Sequence, residues 1–329
     1  MDITQLNPRE PASDKLVKNR ITNSPHNTVS HRRGDDYHVA DGSNWSHPCN
    51  GYSLVTSYRY KWDGHNLIES RKSIMPYSHR DIRQSVPFNT SGEIGFEFSF
   101  AFQPIVDVRN REIVSFEALV RGPHGEPSAS VFAQVPKHHF PRFDEMCRMK
   151  AIYLASQLKI PSQLNLNISP QSIYEVDLNI TATFQASLHS GFPVGKIVFE
   201  VLETESLTDQ RNLLKYLQIL QGFGFRTAID DFGAGYSGLN LLVQYQPNYI
   251  KLDRNIISNI QHDHIKQSIF SGVRQICNDL QIEIIAEGVE TADEYHWLNE
   301  AGINIFQGFY FARPAFEALP DVANKVFCN

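Results

Sequence analysis

Cysteine is scarce in this chain, with four in 329 residues. Cys49, Cys147, Cys277 and Cys328 lie far apart and form no C-x-x-C pair. That excludes a disulfide framework and the usual zinc-ligand spacings and leaves reduced thiols. Long apolar runs are lacking as well: none is long enough to cross a bilayer, and the polar stretch from Met1 to Arg20 has no signal-peptide core. A soluble cytoplasmic protein with no membrane partner is expected. Positive charge is also short. The formal net charge is −6, split into +2 over residues 1–95 and −8 over the remainder. Phosphate neutralisation on nucleic acid uses Lys and Arg, so no DNA partner is expected of the acidic part. A phosphate-ester ligand there would need bound cations to supply the missing positive charge.

What the chain does hold is enough apolar residue, 41%, for a sizeable core, and a length that allows one large domain plus an appendage or two modest domains. Residues 1–95 are rich in Asn, Ser, His, Arg and Asp and read as an N-terminal segment of unassigned role, poorly structured, with a small β patch. Ser53 to Trp62 and Asn66 to Ile74 are its strand candidates. Its six histidines, His26, His31, His38, His47, His65 and His79, have no ligand spacing and read as solvated surface groups.

From Phe96 the texture changes. Phe98 to Val106 and Ile113 to Val120 are apolar strands joined by only Asp107 to Glu112, too short for a crossover helix, so the pair should be antiparallel. Strands and helices then alternate. Strands are expected at Leu164–Ile168, Ile197–Leu202, Arg226–Asp230, Tyr249–Leu252, Ile282–Ala286 and Ile303–Phe306, and helices at Phe143–Leu158, Asp209–Gly222, Ile265–Leu280 and Thr291–Ala301. Gly222 reads as a C-cap. About eight strands in βα alternation indicate an α/β fold of the TIM-like (β/α)8 type with an antiparallel first strand pair, over residues 96–329.

Polar residues punctuate the ends of these runs: Glu117, Asn167, Glu200, Asp230, Asp231, Lys251, Glu287 and Gln307. Groups at one end of successive parallel strands converge on one mouth of a barrel, and an oxygen-rich set suits a hard divalent cation such as Mg2+ or Mn2+. Two adjacent carboxylates at a strand end repel unless a cation lies between them or one is protonated. The bland alternative for Asp230 and Asp231 is a helix N-cap beside a surface charge. For Lys251 it is a snorkelling surface lysine, and for Gln307 a capping glutamine. Together they suggest a metal-dependent enzyme acting on a phosphate ester.

The stretch Glu117-Ala118-Leu119-Val120-Arg121 resembles the signature of the EAL family of cyclic-di-GMP phosphodiesterases. Further motifs follow the family in order: Phe102-Gln103-Pro104-Ile105-Val106-Asp107 ahead of it, then Asn165-Leu166-Asn167-Ile168-Ser169, Phe199-Glu200-Val201-Leu202-Glu203, Ile229-Asp230-Asp231-Phe232-Gly233-Ala234-Gly235-Tyr236-Ser237, Lys251-Leu252-Asp253, Ala286-Glu287-Gly288-Val289-Glu290 and Gln307-Gly308-Phe309. The resemblance covers roughly residues 96–320. The linker from Gly122 to Asp144 resembles the subgroup often attached to blue-light BLUF sensors, although the segment before residue 96 does not look like a BLUF domain.

The resemblance implies hydrolysis of cyclic-di-GMP to linear pGpG with two metal ions, Mg2+ or Mn2+. Such ions, about 3.5–4 Å apart, clamp both the attacking and the leaving oxygens. It implies that Glu117, Asn167, Glu200 and Asp230 ligate one ion and that Asp230, Asp231 and Glu287 serve the second. Lys251 would orient the attacking water and stabilise phosphate charge, and Gln307 would hydrogen-bond the water or a ligand. Arg121 would grip a phosphate as a forked donor, with Gln103 and Leu119 beside it on the substrate. Asp144 is a candidate acceptor for a guanine edge and Phe306 a candidate base platform. A helix N-terminal aspartate and a core phenylalanine read equally well for these two. Glu203 is the candidate support for the Gly233–Tyr236 loop, which in the family also contributes to a homodimer. Leu202 stands where the family usually has Thr, and Ala234 and Gly238 replace hydroxyl residues, so altered coupling to dimerisation is expected with activity kept. The competing reading is a non-catalytic EAL domain acting as nucleotide receptor or protein-binding module.

Overall fold

The computed structural model describes residues 94–169, 176–203, 210–235 and 238–322, together with four earlier strands. These are β1 (Asn27–Val29), β2 (Asp36–Asp41), β3 (Tyr52–Trp62) and β4 (Leu67–Ser78), paired antiparallel in chain order. The two strands expected from sequence are β3 and β4; β1 and β2 are short and polar, which is why they escape a hydrophobic pattern. The side chains of the six N-terminal histidines, and Cys49 and Cys328, lie outside the described residues.

The second sheet closes on itself. It comprises β5 (Ser99–Asp107), β6 (Glu112–Arg121), β7 (Gln163–Asn167), β8 (Ile197–Leu202), β9 (Arg226–Phe232), β10 (Tyr249–Leu252), β11 (Glu283–Ala286) and β12 (Ile305–Phe306). Neighbours from β6 to β12 are parallel. β5 runs against both β6 and β12, with Ile305 opposite Asp107, and this pairing closes an eight-stranded barrel. The hairpin between β5 and β6 is set by Asp107, whose Oδ1 accepts from Arg109 N (2.9 Å) and Asn110 N (3.0 Å). A short β13 (Ala315–Phe316) pairs with the other end of β5.

Helices fill the crossovers: α1 (Ser128–Phe132) and α2 (Phe140–Gln157), α3 (Val176–Ser190), α4 (Gln210–Gly222), α5 (Gly238–Gln244), α6 (Arg254–Ile257) and α7 (His264–Leu280), and α8 (Ala292–Glu300). The apolar shell between them and the strands forms the main core. Helix α4 corrects one expectation: its C-cap is Gly224 (φ +84°), not Gly222. Gly224 N reaches Gln221 O (3.0 Å) and Phe225 N reaches Leu220 O (3.1 Å), a Schellman closure that needs the left-handed residue two positions later. Cys147 and Cys277 are free thiols, as expected.

Inside the barrel, Ile105, Val198, Ala228, Tyr249, Ile285 and Ile305 pack as a separate apolar plug. Side chains alternate across a strand. The next inward position is therefore two residues further toward the C-terminal mouth or, on the reversed β5, two residues earlier. Those positions are Gln103, Glu200, Asp230, Lys251, Glu287 and Gln307. On β6 and β7 the same step leads from Ser115 to Glu117 and from Asn165 to Asn167. The eight strands thus each deliver one polar residue above the plug.

Candidate metal centre and substrate cleft

Lys251 stands in the middle of this ring. Its Nζ lies 3.3 Å from Glu117 Oε2, 3.1 Å from Glu200 Oε1, 3.0 Å from Asp230 Oδ1 and 3.1 Å from Glu287 Oε2. Amides complete the cage. Asn167 Nδ2 donates to Glu117 Oε1 (3.0 Å), Gln307 Nε2 donates to Glu117 Oε2 (2.6 Å) and to Gln103 Oε1 (3.3 Å), and Gln103 Nε2 donates to Ala312 O (3.1 Å).

Four carboxylates around one ammonium leave negative charge in excess. Burial alone would lower the Lys251 pKa, but Asp230, Glu117, Glu200 and Glu287 together raise it well above the ordinary lysine value. The carboxyls move the other way. Burial, reinforced by Glu117 and Asp230 and opposed by Lys251, pushes Glu200 well up, and burial pushes Glu287 up to about 8. Asp231 is raised by burial and by Asp230 and Asp253. Lys251 therefore stays charged while the acids resist losing their last protons. Buried oxygens confirm the deficit of positive charge. Among the described residues, Glu200 Oε2 and Gln307 Oε1 have no hydrogen-bond partner, and Asp230 Oδ1 and Glu287 Oε2 sit within ion-pair reach of Lys251 without hydrogen-bond geometry.

Asp231 joins the cage by breaking the strand alternation. Its φ is +51°, and β9 carries one more residue than β10 between the pairs Ile229–Ile250 and Phe232–Leu252. Such a bulge re-aims a side chain that would otherwise face the helices. Carboxylate oxygens of Asp230, Asp231 and Glu287 lie within 4.8 Å of one another. The donor set is all oxygen, net anionic and partly unsatisfied, and it fits hard divalent cations.

A cavity of about 490 Å3 opens from the cage, within the range of small-molecule sites. Glu117, Asn167, Asp230, Asp231 and Glu287 line it, together with Phe100, Phe132, Phe140 and Phe143. Leu119, Arg121 and Asp144 lie on its walls. Arg121 follows Glu117 and Leu119 at two-residue spacing and is half-buried, with Nη1 on its neighbour Val120 O (2.8 Å). Burial lowers its pKa and Glu117 partly offsets that. Asp144 is already engaged: Oδ1 accepts from Ser169 N (3.1 Å) and Oδ2 pairs with the buried Arg148.

Of the two readings of Phe306, base platform and core residue, the fold takes the second. The Phe306 ring is fully buried, 5.2 Å from Tyr295 and 5.6 Å from Phe311 between centroids. It is one residue out of phase with the inward Ile305 and Gln307, so it faces the helical shell and offers no face to a ligand.

Glu203 is buried and supports the loop after β9. Oε2 accepts from Gly233 N (2.6 Å) and Gly235 N (3.3 Å), and Oε1 accepts from Gly238 N (2.7 Å). Gly238 is more than a missing hydroxyl: a Cβ there would sit 2.7 Å from Phe232 Cε2 and 2.8 Å from Glu203 Oε1. The bare glycine lets the carboxylate approach its N–H.

Sequence reasoning passed over Ser115 and Asn165. Both are buried, Asn165 Nδ2 donates to Glu200 Oε1 (2.7 Å), and Ser115 Oγ donates to Asn165 Oδ1. The signal was present in the alternation Asn165-Leu166-Asn167, which turns both amides inward.

The sequence pattern of the EAL domain matches residues 90–314. The chain belongs to the EAL domain family. It is 30% identical over 225 residues to the blue light- and temperature-regulated antirepressor BluF of Escherichia coli, covering 68% of this chain and 56% of that protein. It is 30% identical over 231 residues to the probable cyclic di-GMP phosphodiesterase PdeN of the same species, covering 66% and 43%. The chain therefore spans about half the length of the curated relatives it matches. Among solved structures, it is similar to a standalone versatile EAL protein from Vibrio cholerae O395 in its c-di-GMP-bound form, with 44% identity and a TM-score of 0.68, over 70% of this chain and 98% of that one. It is also similar to the Klebsiella pneumoniae BlrP1 manganese and cyclic-di-GMP complex at pH 6, with 38% identity and a TM-score of 0.66, over 68% and 57%. Among the described residues of this EAL domain, no helix is long and apolar enough to cross a membrane.

Proposed function

We propose that the chain is a cytoplasmic phosphodiesterase that hydrolyses cyclic-di-GMP to linear pGpG with two divalent cations, Mg2+ or Mn2+. Residues 96–329 form the catalytic domain and residues 1–95 an N-terminal segment of separate role. The observation that carries this reading is the ring itself: one polar residue from each barrel strand, rich in acid, at the mouth of a cavity. The c-di-GMP complexes of similar structures support the substrate, and the manganese in one of them supports the metal.

Bound cations would lower the pKa of a water and draw charge from the phosphoryl oxygens. Glu117, Asn167, Glu200 and Asp230 would hold one, and Asp230, Asp231 and Glu287 the other. Lys251 keeps its proton under the field of four carboxylates. It is thereby a fixed donor to the attacking water or to a phosphate oxygen, preorganised where charge develops. Gln307 holds Glu117 in register and can hydrogen-bond the water. Arg121 grips a phosphate of the substrate, with Gln103 and Leu119 as further substrate contacts, and Asp144 shapes the cleft wall. Glu203 keeps the Asp231 loop in place through its backbone N–H groups. A homodimer through that loop is part of the reading.

The test is incubation of the purified chain with cyclic-di-GMP and Mg2+ or Mn2+, with linear product resolved by chromatography. Metal-dependent pGpG is expected. Tight nucleotide binding without product at any pH would replace the enzyme with a receptor.

A further inference from the structure

Six of the eight plug positions are apolar or aromatic; Ser115 and Asn165 are the other two. A buried amide in such a layer costs free energy unless its hydrogen bonds are made. Asn165, 1% exposed, makes them along one line: Ser115 Oγ to Asn165 Oδ1, then Asn165 Nδ2 to Glu200 Oε1 at 2.7 Å. The amide turns Nδ2 toward Glu200 and its Oδ1 accepts the hydrogen bond of the Ser115 hydroxyl; a Glu200 ionised on a bound cation can only accept, which holds the same orientation.

The effect on Glu200 is specific. Oε1 is held by Asn165 and by Lys251 at 3.1 Å, while the buried Oε2 has no partner among the described residues. The carboxylate cannot rotate without breaking two contacts to Oε1. We propose that Asn165, locked by Ser115, is a positioning residue that fixes Glu200 so that Oε2 is presented to a divalent cation. The inference rests on the metal reading of the cage. Outer partners of this kind orient the groups that touch the metal, and their loss typically weakens metal affinity 10–100-fold.

The experiment is calorimetric titration of the full chain with MnCl2, for wild type, Asn165→Val and Ser115→Ala, alongside thermal unfolding without metal. Asn165→Val extends the apolar plug but leaves the buried Ser115 hydroxyl and Glu200 Oε1 each short of a partner, so metal-free Tm should fall. Its Mn2+ affinity should fall about 10–100-fold. Ser115→Ala should weaken Mn2+ several-fold in the same direction, because the amide is no longer locked. A purely structural role would move Tm and leave the affinity of the folded protein alone, and that result overturns the proposal. If Asn165→Val does not fold, Ser115→Ala decides, and unchanged affinity there overturns it equally. A wild-type chain that binds no Mn2+ refutes the metal reading itself, and the inference with it. Wild-type binding with unchanged variants refutes only the inference.

Discussion

Lys251 Nζ lies 3.0 Å from Asp230 Oδ1, and the lysine is fully buried. A buried ammonium is tolerated only because three further carboxylates, Glu117, Glu200 and Glu287, stand within 3.3 Å of it. The converse also holds: with no metal, this one cation keeps the acids together. Lys251→Met should therefore do more than slow the chemistry. Removing one partner from a buried charge cluster typically costs about 3–5 kcal/mol, and denaturant unfolding of the metal-free variant should show a loss of that order. Mn2+ should restore part of it. Stability equal to wild type without metal would mean that the lysine is not the cage's internal counter-charge.

The raised carboxyl pKa values give stability a pH dependence with a definite sign. In the folded chain Glu287 holds its proton up to about 8 and Glu200 is shifted the same way. In the unfolded chain both lose it in the usual carboxylate range. Between those limits the folded state binds more protons, so stability falls as pH rises. Tm of the metal-free protein should be highest near the unfolded carboxylate range and decline toward pH 8 and just above. The rise in Tm on adding Mn2+ should be larger at pH 8 than at pH 5, because cation and proton compete for the same oxygens. Turnover should rise from pH 6 toward alkaline values, since the attacking water must lose a proton. A rate that falls steadily from pH 6 to pH 9 would contradict this.

Gly238 offers a sharper test of the loop. Its N–H donates to Glu203, and a Cβ would approach both Glu203 and the Phe232 ring within 2.8 Å. Gly238→Ser should cost about 1–3 kcal/mol, the usual range for forced overpacking, and should weaken metal binding by disturbing the loop that carries Asp231. A stabilised variant, with the added hydroxyl finding a partner, would show that the glycine is a simple loss rather than a fit.

The barrel and most of the ring were legible because apolar runs of four to six residues ended in single polar residues at the same phase. Ile197 to Leu202 and Tyr249 to Leu252 are strands at the bounds read from sequence. Helix α3 was not legible: Val176–Ser190 mixes β-branched and polar residues without a clear apolar stripe. The two readings of Phe306, base platform and core residue, are separated only by strand alternation, which puts it on the face opposite Gln307 and in the core. Asp231 reaches the cage through a left-handed backbone and an extra residue on β9, which no side-chain pattern encodes. Asn165 hid inside a motif already assigned to Asn167, and Ser115 lies two residues ahead of Glu117, outside every motif.

The central claim is that this ring is a cage for two cations used in catalysis. Glu117, held by Asn167, Gln307 and Lys251 at once, is the residue whose loss should matter most. The direct measurement is turnover of cyclic-di-GMP together with the Mn2+ stoichiometry, for wild type and Glu117→Ala. Two ions per wild-type chain, and a folded variant that has lost an ion and its turnover, are the predicted results. A Glu117→Ala protein that cleaves at the wild-type rate would contradict the account.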